Sequence, residues 1–287
     1  MKHRVALIQM RVTGGEMQEN LARAEYLIGS AAAAGAKLAI LPEAMDVGWT
    51  HPSCRDLAEP VPGGEPARRL GAAAAKHGIY VCAGLTERDG DRVYNAGIII
   101  DPRGEILCKH RKLNELSIAH EYYNHGNNLK VVQTELGTLG LMICADAFAT
   151  GQILTRSLGW MGADMIVSPC AWAVPADHNQ SCSPYGDVWR EVYMPVARDF
   201  SMWIIGVSSV GPITGGPWAG RKCIGCSLVI APDGLEVLQG PYGENAEAVL
   251  FVEVETDDSA RQRCASTHDM PWRKALRETT ESDTPKP

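Results

Sequence analysis

The chain has 287 residues, 45% hydrophobic and 21% charged, with a formal net charge of −7. Those values suit a globular protein with length enough for a sizeable core, and the acidity, unrelieved by any basic run, sets it against phosphate-backbone binding. No stretch reaches the ~18 uninterrupted apolar residues of a membrane span, so neither nucleic acid nor membrane is expected as a partner.

The N-terminal "MKHRVALIQM" holds an apolar stretch of about six residues, short of the roughly 7–15 of a signal-peptide core. Nine cysteines, an odd number, are scattered through apolar segments rather than set in a spaced framework. Reduced thiols and a cytoplasmic location are therefore expected.

In chain order, "VALIQM" (5–10) predicts a buried strand and Asn20 to Gly35 a helix. Leu21, Ala24, Leu27, Ile28 and Ala31 recur there at helical spacing, and Gly35 is a natural stop. "KLAILPE" (37–43) predicts a second strand ended by Pro42, followed by a helix around 65–77, a stop at Gly78 and a strand "IYVCAGL" (79–85). "NAGIIIDPRGEILCKHRK" (95–112) predicts a hairpin about Asp101-Pro102-Arg103-Gly104, and "LKVVQTELGTLGLMIC" (129–144) a second about Leu136-Gly137-Thr138. A helix at about 151–162, a strand "ADMIVSPCAW" (163–172), a helix at roughly 187–200 and a strand "MWIIGVSSVG" (202–211) come next. "CSLVIAPDGLEVLQG" (226–240) reads as a third hairpin and "AVLFVEVE" (248–255) as a last strand. Alternating βαβ units and hairpins, with no flexible linker, imply an α/β protein whose sheets are covered by helices in one domain over 1–255. The polar, poorly periodic stretch 256–287 reads as a tail, disordered or docked on a neighbour.

Three positions put a charged or reactive group at the end of an apolar strand: Glu43 after "LAILP", Lys112 after "EILCKHR" and Cys144 after "LGLMI". Such ends converge on one edge of an α/β sheet. A cysteine nucleophile needs a base or a lowered pKa, and a donor where negative charge develops. Glu43 suits the base, taking the thiol proton and later activating water. Lys112 suits the oxyanion, joined by the backbone N–H of Ala145. Each has a plainer reading, a core thiol or a solvated loop charge, and only a meeting in space decides between them.

The segments "RVALIQM", "NLARAEYLIGSAAAAGAKLAILPEA", "GIYVCAGLTE", "VYNAGIIIDPRGEILCKHRK", "GTLGLMICADAF", "GADMIVSPCAW" and "GCSLVIAPDGLEVL" are met in that order over most of residues 4–255. Together they resemble the nitrilase superfamily of carbon–nitrogen hydrolases. The resemblance implies a four-layer αββα sandwich of two mixed sheets flanked by helices, and a Glu43–Lys112–Cys144 triad. It implies a small-molecule amide as substrate, a thioester intermediate, release of ammonia or an amine, and no metal or organic cofactor. It also implies a homodimer or larger homo-oligomer, often with the C-terminal tail between subunits.

This sequence departs from the family pattern in places. Many relatives carry a second glutamate shortly after the lysine, ahead of an aromatic pair. Counting back from Tyr122-Tyr123 puts His120 near that slot with Glu121 beside it; Glu121 is the first choice, with His120 as a substitute that would make activity sensitive near neutral pH. Glu115 is a third candidate, with a solvated helix charge as its alternative. Nitrilases proper typically follow the cysteine with Trp-Glu, where this chain has Ala145-Asp146. Carbamoylases and ω-amidase-like members often place an arginine at or beside the position of Phe148, where it can hold a substrate carboxylate. Phe cannot replace that fork, so a neutral or apolar acyl group is favoured over an N-carbamoyl amino acid, unless another arginine such as Arg190 reaches in. Trp172 in "SPCAW" and Trp49 in "DVGWT" are expected to line the acyl pocket, with plain packing as the alternative for both.

Other signals carry less. "CIGC" (223–226) lacks the four ligands of a zinc site, "GGPWAGRKC" fails as a phosphate loop because Arg221 stands where lysine is needed, and "GVSSVG" lacks a serine-amidase partner. The leading expectation is a thiol-dependent amidase. An N-carbamoyl or ureido hydrolase and a nitrile hydrolase are its chemical rivals, and a catalytically silent scaffold is the rival of another class.

Overall fold

The computed structural model describes residues 1–256; the tail expected at 256–287 lies, beyond Thr256, outside the described residues. The first sheet is built from β1 (Lys2–Gln9), β2 (Leu38–Ile40), β3 (Tyr80–Asp89), β4 (Arg92–Ile100) and β5 (Ile106–Arg111). Connecting them are α1 (Met17–Ala33), the single turn α2 (Cys54–Leu57) and α3 (Glu65–His77). The second half holds β6 (Val131–Thr134), β7 (Gly137–Leu141), α4 (Ile153–Trp160), β8 (Met165–Cys170), β9 (Ala173–Val174), α5 (Asp187–Phe200) and β10 (Trp203–Ser208). It closes with β11 (Val210–Pro212), β12 (Lys222–Ile224), β13 (Leu228–Ile230), β14 (Glu236–Gln239) and β15 (Ala248–Glu255).

Two six-stranded sheets result, ordered β15-β1-β2-β3-β4-β5 and β14-β13-β10-β8-β7-β6. Each has a parallel centre, β1-β2-β3 in one and β7-β8-β10 in the other, extended by antiparallel strands. Along β1 successive side chains face opposite ways. Val5 and Leu7 enter an inner core with Leu139, Leu141, Val167 and Ile205, while Ala6 and Ile8 lie in an outer core with Leu21, Ile28 and Leu70. The opposite outer core sets Leu158 and Val196 against Ile166 and Ile204. The layers are therefore α1/α3, sheet, sheet, α4/α5, the αββα sandwich of mixed sheets that was expected.

The helices owe their place to apolar stripes. In α1 the buried positions include Leu21, Ala24, Leu27, Ile28 and Ala31, and fully burying a Leu or Ile side chain contributes about 1.5–3 kcal/mol. α3 starts with Pro66 in its first turn and stops where Gly78 adopts φ 61°, its N–H returning to the Ala74 carbonyl, a left-handed C-terminal cap.

Several boundaries differ from the sequence expectation. The strand expected at 79–85 runs on to Asp89 and turns directly into β4, so β3, β4 and β5 form a meander rather than a strand plus a separate hairpin. The stretch 202–211 splits: β10 belongs to the second sheet and β11 to a small sheet ordered β11-β12-β9. The helix expected at 151–162 is α only from Ile153, after a 3-10 turn at Thr150–Gln152 with Gly151 at φ 68°. Among the described residues no helix is long and apolar enough to cross a membrane.

Candidate active site

β2 ends at Ile40, and Pro42 blocks its continuation. The turn that follows is clamped on Gly84 of β3, whose N–H donates to the Pro42 carbonyl (3.0 Å) and whose carbonyl accepts the Met45 N–H (2.9 Å). A Cβ at Gly84 would stand 2.5 Å from the Glu43 Cα, so only glycine admits the turn at this distance. The Glu43 N–H donates to the carbonyl of Cys170 at the end of β8 (3.2 Å), joining the two sheets at the edge where the site lies. Ala44 takes φ 43°, a sparsely populated conformation outside glycine.

Lys112 follows β5, its N–H bonded to the Asn95 carbonyl at 2.9 Å. Its Nζ donates to Glu43 Oε1 at 2.6 Å and lies 3.5 Å from Glu115 Oε2. Asn95 Nδ2 donates to the same Glu43 oxygen at 2.7 Å. Cys144 does not end its strand: β7 stops at Leu141, and the cysteine opens a 3-10 turn, Cys144–Phe148, with φ 43°. Such strained placement of a reactive residue concentrates at functional sites.

The amides on either side of Ala145 are engaged, Cys144 N–H with Ser168 Oγ (3.1 Å) and Asp146 N–H with the Ile143 carbonyl (2.9 Å). Asp146 anchors this turn. Its buried carboxylate accepts the Ile143 (2.9 Å), Leu113 (3.0 Å) and Asn114 (2.8 Å) N–H groups and pairs with His110 Nε2 at 2.8 Å. One side chain thus ties the nucleophile turn to the segment that carries Lys112.

The electrostatics follow from burial. Desolvation alone would lower the Lys112 pKa, yet the Glu115 and Glu43 carboxylates and the Cys144 sulfur outweigh it and hold the ammonium well above its ordinary value. Burial, the Cys170 sulfur and the Glu43 carboxylate push the Cys144 thiol well above its usual range, with Lys112 opposing only in part. Burial raises Glu115 to about 7 against the pull of Lys112, with Glu43 and Asp146 adding to the rise. Asp146, despite burial, is held below the ordinary carboxylate value by its His110 hydrogen bond and by the charge of His110 and Lys112.

Glu43, Lys112, Cys144 and Ala145 line one cavity of ≈160 Å³. Its wall includes Trp49, Trp172, Phe148, Tyr185, Trp189 and Trp218. Trp172 stacks on Trp189 with ring centroids 4.5 Å apart, Phe148 packs on Trp189 at 4.6 Å, and Trp49 meets Trp218 edge-on at 5.0 Å. The structure therefore brings the three strand-end groups together, along with Ala145, Trp49, Trp172 and Phe148.

It does not bring in Glu121 or His120. The 3-10 turn at Ser117–Ala119 leaves both exposed. Among the described residues Glu121 engages through its carbonyl, with Arg55 (2.9 Å), and His120 sits edge-on to His125 (4.8 Å) with its Nε2 3.4 Å from the Glu115 backbone carbonyl, not its carboxylate. The carboxylate beside Lys112 is Glu115, buried rather than solvated. Arg190 does not line the cavity; Glu236, Asp187 and Gln239 occupy its guanidinium at 2.6, 3.0 and 3.1 Å. Sequence reasoning missed Asn95, His110, Asp146, Tyr185, Trp189 and Trp218. Only Asp146, a charge in the middle of an apolar segment, carried a usable signal.

Stacked mixed sheets with an acid, an ammonium and a thiol at one edge define the class: an α/β enzyme of the hydrolase type. The chain belongs to the carbon–nitrogen hydrolase family, whose model matches residues 4–263. It is 30% identical over 256 residues to a nitrilase of Pyrococcus abyssi, covering 88% of this chain and 89% of that one. It is 31% identical over 182 residues to an omega-amidase of Danio rerio, covering 60% and 64%. In structure it resembles a Saccharomyces cerevisiae protein of branch 10 of the nitrilase superfamily, with a TM-score of 0.77 and 23% identity over 95% of this chain and 97% of that one. A carbon–nitrogen hydrolase from Helicobacter pylori G27 superposes with a TM-score of 0.81 at 18% identity, covering 96% and 99%.

Proposed function

We propose that this carbon–nitrogen hydrolase is a cysteine-dependent amidase acting on a small linear amide with a neutral or apolar acyl group. The observation that carries the substrate assignment is the cavity wall. Its ≈160 Å³ is roughly the share of five liquid waters, its surface is mainly aromatic and aliphatic, and Glu43 and Lys112 are the charged side chains lining it. Among the described residues no arginine lines it to hold a carboxylate. The omega-amidase relative supports amide chemistry.

In this mechanism the thiol, its pKa raised, is not ionised in advance, so attack requires a base. Glu43 Oε1 is held by Lys112 and Asn95, and Oε2 takes the proton as Cys144 Sγ bonds to the amide carbon. Lys112 Nζ and the Ala145 N–H stabilise the oxyanion. On collapse the C–N bond breaks, the amine leaves with the proton from Glu43, and a thioester remains. Water then gives its proton to Glu43, adds to the thioester and releases the acid and the thiol. The homo-oligomer expected from the resemblance belongs to the same proposal. It is supported by the exposed Ile153, Trp160 and Met161 at α4 (57, 47 and 44% accessible), and solution mass measurements test it.

The chemical test is incubation with short amides, an N-carbamoyl amino acid and a nitrile, followed by ammonia and carbon dioxide assays and intact-mass analysis. Ammonia from the amides without carbon dioxide, and an acyl adduct on Cys144, are expected. Faster carbon dioxide release from the carbamoyl compound would overturn the substrate assignment. A Cys144 that stays unreactive toward electrophiles in folded protein would favour a silent scaffold.

A further inference from the structure

The reactive-looking thiol has a second thiol for a neighbour. Cys170, the last residue of β8, is fully buried, and Cys144 packs against the apolar cluster that contains it. Ser168 Oγ touches both residues, accepting the Cys144 backbone N–H at 3.1 Å and lying 3.5 Å from Cys170 Sγ. The proximity is felt electrostatically, since the Cys170 sulfur helps push the Cys144 thiol up. Both are free thiols, Cys170 sealed from solvent and Cys144 facing the cavity.

We propose that Cys170 is a resolving thiol, closing a reversible disulfide with Cys144 once a hydroperoxide has oxidised that residue. The proposal rests on the reading of Cys144 as the cavity's nucleophile. In the first step Glu43 takes the thiol proton as Cys144 sulfur attacks one peroxide oxygen, the O–O bond breaks, and the proton passes to the departing oxygen. The products are a sulfenic acid and water, or an alcohol if the peroxide is organic. In the second step Cys170 sulfur attacks Cys144 sulfur, the S–O bond breaks, and the hydroxyl leaves as water with the Cys170 proton. Two thiols lose two electrons and the peroxide gains them. A sulfenic acid with no thiol in reach continues to the irreversible sulfinic acid. The arrangement therefore halts oxidation at a stage that a reductant reverses, and the enzyme is silent until then.

The test treats the full chain with a molar excess of hydrogen peroxide and maps peptides without reduction. The expected result is a linked Cys144–Cys170 peptide, a mass lower by two hydrogens, and hydrolysis that disappears and returns with dithiothreitol. In Cys170→Ala the same treatment should add two oxygens at Cys144, and dithiothreitol should restore no activity. Wild-type protein that goes to the sulfinic acid with no Cys144–Cys170 link would overturn the proposal. Peptide mapping reads the link without using turnover, so its failure is distinct from failure of the amidase reading, which the Cys144→Ser assay addresses.

Discussion

At Lys112 three requirements fall on one ammonium: it neutralises Glu43 at 2.6 Å, faces Glu115 at 3.5 Å, and in the proposed mechanism receives the oxyanion. Lys112→Ala should therefore lower kcat about 10²–10³-fold, the usual cost of an oxyanion donor, measured on protein shown to be folded. Cys144→Ser should retain the fold and lose hydrolysis, because its hydroxyl is a far weaker nucleophile; activity above about a tenth of wild type would count against a covalent path. Glu115 gives a pH signature. Its carboxyl sits at about 7 in the fold against an ordinary 4.5. Between those values the folded chain keeps a proton that the unfolded chain has released, so stability falls as pH rises from about 4.5 to 7. Glu115→Gln should flatten that slope in urea titrations at pH 5 and 7. Part will remain because burial also raises Asp46, to about 6. An unchanged slope would show that Glu115 is not the titrating group.

At the scale of elements, the site is a set of strand ends held in register by neighbours that touch no substrate. Gly84 is the sharpest case. An added Cβ would meet Glu43 Cα at 2.5 Å, the Pro42 carbonyl at 2.7 Å and the Ala44 N at 2.9 Å, all backbone atoms that cannot rotate aside. Gly84→Ala should cost about 1–3 kcal/mol through overpacking. It should also lower kcat on the order of 10²-fold by displacing Glu43, the scale of a 1 Å misplacement. A stability loss with kcat intact would mean the turn relaxes without moving the carboxylate. These relations also mark what the sequence could disclose. Glu43, Lys112 and Cys144 were legible because a charge or thiol closing an apolar run breaks the local pattern. Glu115 was passed over for Glu121 because residues 113–128 carry no periodicity, and linear counting cannot tell which side chain a 3-10 turn points inward. Trp189 and Trp218 were invisible for a related reason: one lies on α5, the other in the loop before β12, and only tertiary packing places both against Trp172 and Trp49.

For the whole molecule, the question is whether two sheets of similar design behave as one folding unit. The inner core joins them through Val5, Leu7, Leu139, Val167 and Ile205, and polar ties stand at the edges. Gln9, fully buried at the end of β1, donates through Nε2 to the Pro241 (2.9 Å) and Ala246 (2.7 Å) carbonyls and accepts the Ser227 N–H (3.0 Å) ahead of β13. At the other edge Thr256 donates its N–H to the Met1 carbonyl (3.0 Å) and its hydroxyl to the Leu136 carbonyl (2.9 Å) between β6 and β7, while its own carbonyl accepts the Met1 ammonium. Each buried backbone group stripped of its partner costs about 1–3 kcal/mol, so Gln9→Leu should lower stability severely by orphaning groups from the second half of the chain. Tryptophan fluorescence is weighted toward the site edge, where four of the seven tryptophans, Trp49, Trp172, Trp189 and Trp218, cluster, whereas far-UV circular dichroism reports every layer. If the sandwich is one unit, urea moves both signals through the same midpoint in wild type, and Gln9→Leu shifts the two together. Separate midpoints would mean that the sheets unfold independently, and the meeting of Glu43 with Cys144 would then depend on docking two stable halves rather than on folding one.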